Sequence, residues 1–130
     1  MKISKKKFNF LAFIAEVWFT DSAPEGFREE AVAGVFSHEG NSPLFKIWFR
    51  KSLDYETLVH KCWHLFMTML MSMDNKPHYF AELNDEIYAY SYHTLVSNVL
   101  ETVTEMKAYS DYFMKQDELM AKYADEKESK

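Results

Sequence analysis

The chain has 130 residues, 48% of them hydrophobic and 17% aromatic, with three glycines and three prolines, which fits one domain with ample core material and excludes collagen-like and low-complexity chains. The formal net charge is -5, with four lysines in the first seven positions, so the remainder is more acidic than the total suggests and nucleic-acid binding by a broad basic face is not expected. No apolar run reaches the length of a membrane span, no signal peptide is read, and the single Cys62 excludes an internal disulfide and suits a reducing compartment, so a cytoplasmic protein is expected.

Residues 1–7 read as a basic, flexible N-terminal segment, residues 8–108 as the folded domain, and residues 109–130 as a charged helical extension that frays at its end. Phe8 to Phe19 is rich in aromatic and β-branched residues and fits either period, with Phe13, Ala15, Val17 and Phe19 on a strand face. It is read as one strand because Ser22-Ala23-Pro24-Glu25, with capping-box spacing, announces a helix at once. That helix is expected to run about two turns through Phe27-Arg28-Glu29-Glu30, with Gly26 costing it about 1 kcal/mol relative to alanine. Val32 to His38 and Leu44 to Phe49 are strand candidates joined by Glu39-Gly40-Asn41-Ser42-Pro43, a run of turn formers. Phe45, Ile47 and Phe49 share one face; Lys46 and Trp48 share the other, which is expected to be partly covered.

A long helix follows, from Tyr55 to about Met73, capped by Ser52 or Asp54, with Leu58, Cys62, Leu65, Phe66, Met69 and Met73 as its core stripe. Pro77 ends it. A second long helix opens at Asn84 or Asp85, with Ile87, Leu95, Val99, Thr102, Val103 and Met106 on its apolar side and Glu86, Tyr90, His93 and Ser97 along a polar one. The expected fold class is therefore α+β: a small antiparallel sheet of about three strands packed with two long helices.

The chemistry concentrates in Leu58-Val59-His60-Lys61-Cys62-Trp63-His64. Four helical steps bring His60 and His64 to one stripe, one turn apart, as two ligands of one zinc ion require. Such a pair equally serves as a polar helix face. Cys62 is half a turn from both and reads as a buried small apolar residue. His38 and His78 lie in or beside turns and are expected to be solvated. Tyr90 is a candidate ligand or oxyanion contact, with core packing as the alternative. His93 faces the same way as Glu86 about 10 Å along the helix, an alternative ligand and not a fourth. Met67 and Met71 share the histidine side.

Together, Asp21-Ser22-Ala23-Pro24-Glu25-Gly26-Phe27-Arg28, Thr57-Leu58-Val59-His60-Lys61-Cys62-Trp63-His64 and Asn84-Asp85-Glu86-Ile87-Tyr88-Ala89-Tyr90 resemble the small phage-encoded zinc metallopeptidases of the short zincin type, over roughly residues 10 to 100. The resemblance implies a minimal zincin-like core and zinc ligands at His60, His64 and Glu86. It also marks a departure: where that family carries the general-base glutamate of His-Glu-x-x-His, this chain carries Lys61. Three functions follow. The chain is expected to be a pseudo-peptidase, with hydrolysis impaired, that binds a bacterial host protein, anti-defence action being one use; its acidic surface and aromatics would form the interface. The alternatives are a weak or unconventional zinc-dependent peptidase or hydrolase, and a metal-free interaction module. No membrane partner is expected, and homo-oligomerisation is left open.

Overall fold

The computed structural model describes residues 2–38, 40–51, 53–73, 88–107 and Lys122. It is α+β: a four-stranded mixed sheet packed with two helices. The strands are β1 (Ile3–Phe10), β2 (Phe13–Thr20), β3 (Ala33–Val35) and β4 (Leu44–Arg50), arranged β1-β2-β4-β3. The helix α1 spans Tyr55–Met71, and residues 88–107 are helical, here α2.

The stretch read as one strand is a hairpin. β1 and β2 pair antiparallel from Ile3↔Thr20 to Phe10↔Phe13, so only Leu11 and Ala12 make the turn. Two-residue hairpin turns need positive φ, normally supplied by Asn or Gly. Here Leu11 supplies it at φ 53, in a region that costs a side-chain-bearing residue about 1–2 kcal/mol. β1 begins at Ile3 and takes in Lys5, Lys6 and Lys7, so these lysines of the expected flexible segment 1–7 lie in the sheet. Lysines along an exposed edge strand also deter pairing with other chains. Lys6 lies on the helix-facing side and forms an ion pair with Glu105 of α2.

The helix expected through Phe27–Glu30 is a series of turns. Gly26 has φ 94, outside the right-handed helical region, and the Phe27 N–H donates to the Pro24 carbonyl over 3.2 Å. Positive φ at the glycine overrides the capping signal before it. β3 is shorter than the expected Val32–His38. It pairs antiparallel with β4, whereas β2 and β4 pair parallel from Ile14↔Leu44 to Thr20↔Arg50. The sheet is thus mixed and has one more strand than expected.

One sheet face carries Phe10, Ala15, Val17, Phe19, Phe45, Ile47 and Phe49. All are buried, and all belong to one core with Leu58, Cys62, Leu65, Phe66, Met69 and Leu70 of α1 and Leu95, Val96, Val99, Val103 and Met106 of α2. The expected stripes are recovered among the described residues, with Leu70 and Val96 added and Met73 only half-buried; Ile87 lies outside the described residues. Asp54 caps α1, its side chain accepting the Thr57 N–H at 2.7 Å. That bond holds the Asp54 carboxyl below its ordinary pKa, so the cap weakens as falling pH protonates it.

The opposite sheet face is covered in part, over β4 and β3. Trp48 is fully buried beneath Phe27, ring centroids 5.1 Å apart, and Phe27 meets Phe36 at 5.2 Å. Gly34 is what admits this arrangement. A Cβ there would lie 2.6 Å from both Phe27 Cε1 and Trp48 Nε1. Gly34→Ala is therefore expected to lower stability by about 1–3 kcal/mol through overpacking. Its denaturant midpoint checks this; an unchanged midpoint would mean Phe27 moves aside freely.

Candidate functional site

α1 places His60 and His64 on its exposed side, away from the core stripe. Their Nε2 atoms are 3.1 Å apart, and the rings meet edge to face with centroids 4.7 Å apart and planes at 78°. Two nitrogens bound to one tetrahedral zinc at about 2.0–2.1 Å stand about 3.3 Å apart. The pair therefore converges on one point with close to the required separation, and each ring directs Nε2, not Nδ1, toward it. Without a metal, one Nε2–H donates to the other Nε2.

Among the described residues, no third His, Cys, Asp or Glu joins them in a group able to hold a metal. Glu86, the third expected ligand, lies outside the described residues, as do Asn84, Asp85 and His78. His93 is exposed on α2 and makes no such group with the pair. His38 is half-buried and stacks on Phe45, centroids 3.9 Å apart, which differs from the solvated histidine expected there. Tyr90 is 73% exposed, so it does not pack into the core.

Tyr92, absent from the expected site, joins the two helices beside the pair. Its hydroxyl donates to the Val59 carbonyl at 2.7 Å, one residue before His60. Its ring meets Trp63 at 5.3 Å and Phe66 at 5.7 Å. Burial, with lesser contributions from Cys62 and Tyr55, pushes its pKa above the ordinary value. An aromatic two positions beyond Tyr90, at helical spacing from Leu95 and Val99, was the available signal. α2 thus lies directly against the histidine turn of α1.

Cys62 is fully buried, and burial pushes its thiol up to about 12. It is a core residue, not a ligand. Well below pH 9 the thiol is neutral in both folded and unfolded chains and contributes no pH dependence. Above that the unfolded chain loses the proton first, so stability falls as pH rises from about 9 toward 12. Cys62→Ala is expected to remove this part of the alkaline loss, measured as the difference between the two proteins' denaturant midpoints across that range. In the folded protein the wild-type thiol should also resist a thiol reagent at neutral pH.

Lys61 is half-buried and, with His64 one turn on, lines an open hollow of about 440 Å³. The other wall is Phe27, Arg28, Ala31, Ala33, Gly34 and Val35. The amine-bearing side chain therefore stands on the His64 side of the helix, between α1 and β3.

The chain matches no family model, and neither a curated protein nor a solved structure matches it. No described helix is long and apolar enough to cross a membrane.

Proposed function

We propose that the chain is a zincin-like pseudo-peptidase in which His60, His64 and Glu86 hold zinc and Lys61 occupies the position of the general base. The observation that carries this is the 3.1 Å approach of the two Nε2 atoms. Zinc held there would supply Lewis acidity. The chain's own residues supply the rest: His60 and His64 orient by the helix they share, and Tyr92 holds α2 against their turn. Lys61 brings a cation where proton abstraction needs a carboxylate, which leaves any hydrolysis slow.

In this reading the protein acts by binding a bacterial host protein, as the resemblance to phage-encoded chains implies. Exposed aromatics at Tyr55, Trp63 and Tyr90, respectively 59%, 47% and 73% exposed, are of the residue type that anchors interfaces. The test is elemental analysis of protein purified without a histidine tag, together with identification of what it retains from a bacterial lysate. Stoichiometric zinc and one retained protein are expected. Zinc that fails to bind even when added would overturn the metal reading and leave a metal-free interaction module.

A further inference from the structure

We infer that the hollow between α1 and β3 binds an oxyanion, with Lys61 and Arg28 as its charged donors and His64 as a third polar wall. Three observations converge. First, Lys61, Arg28 and His64 line one hollow of about 440 Å³, and no carboxylate lines it. Second, among the described residues, neither Lys61 nor Arg28 has an ion-pair partner, although the sequence holds 20 Asp and Glu against 15 Lys and Arg. The lysines elsewhere that do pair, Lys6 and Lys7, reach Glu105 and Glu16. Third, the remaining lining is Phe27, Ala31, Ala33, Gly34 and Val35. Such side chains offer an anion no acceptor that competes for the two cations.

The two cations differ in kind. Arg28 presents a planar fork suited to two oxygens of one anion, and Lys61 a point charge on a flexible stem. The elements that carry them are fixed independently. Lys61 stands on α1, whereas Arg28 follows the Pro24–Phe27 turn, where the Ala31 N–H donates to the Arg28 carbonyl at 3.0 Å. Carboxylates and phosphates share this chemistry. The two charged donors are not zinc ligands in the proposed function, but His64 is, so the anion site borders the zinc site and has to be tested without metal.

The test uses metal-free full-length protein, stripped on a chelating resin so that ligation to zinc cannot account for any signal. Inorganic phosphate and acetate are titrated separately, with backbone amide shifts as the readout. Saturable shifts confined to residues 27–35 and 61–64 are expected, and the stronger of the two anions assigns the source as phosphate-bearing or carboxylate-bearing. Lys61→Met and Arg28→Gln, each confirmed folded by circular dichroism, should each weaken binding by about tenfold, and rising salt should weaken it in the wild type. Shifts centred on Lys5–Lys7, no saturation with either anion, or folded variants that bind like the wild type would overturn the inference.

Discussion

Lys61→Glu is expected to raise zinc-dependent hydrolysis of casein or a generic peptide by about a hundredfold to ten-thousandfold, the usual contribution of a positioned general base. The expectation rests on placement. Lys61 and His64 are three positions apart on α1 and line the same hollow, so a carboxylate at position 61 would stand beside the histidine pair. There it could take a proton from the attacking water and return it to the leaving amine. Lysine has no carboxylate oxygen to accept that proton. The gain is predicted to vanish in Lys61→Glu combined with Glu86→Ala; a gain that persisted would remove Glu86 from the proposed site. Equal activity before and after the single change, with zinc bound in both, would contradict the disarmed-peptidase reading.

Phe66→Ala should lower stability by about 3–5 kcal/mol, the cost of removing a large buried aromatic. Phe66 is 2% exposed and meets three rings from three elements: Phe10 of β1 at 6.4 Å, Trp63 of α1 at 6.2 Å and Tyr92 of α2 at 5.7 Å. It thus ties the sheet and both helices together one turn beyond Cys62. Because α2 is held here, Phe66→Ala should also loosen the Tyr92 contact to Val59, and zinc affinity should fall along with stability. A loss of less than about 1 kcal/mol would show that the three elements are not joined through this residue.

The helices were legible because a 3.6-residue period over seventeen residues leaves few alternatives: Leu58, Cys62, Leu65, Phe66 and Met69 fall on the predicted stripe, and the Asp54 cap is where expected. The sheet was less so. Leu11-Ala12 carries none of the residues that advertise a two-residue turn, so the β1–β2 hairpin was invisible and Ile3–Lys7 passed for a tail. The Ser22–Glu25 capping signal was outweighed by the backbone at Gly26. The parallel pairing of β2 with β4 is a long-range choice that no local pattern encodes. At the site, the i, i+4 spacing was enough to bring the two imidazoles together. The presence of Arg28 and Lys61 on one hollow was not, since it depends on the turn that replaced the expected helix.

The most direct measurement is calorimetric titration of zinc into metal-free wild-type protein and into His60→Ala and His64→Ala. One zinc per chain is predicted for the wild type, with each substitution weakening affinity by about a hundredfold or more as one of the ligands is lost. Zinc binding that is absent in the wild type, or unchanged by both substitutions, would contradict the account.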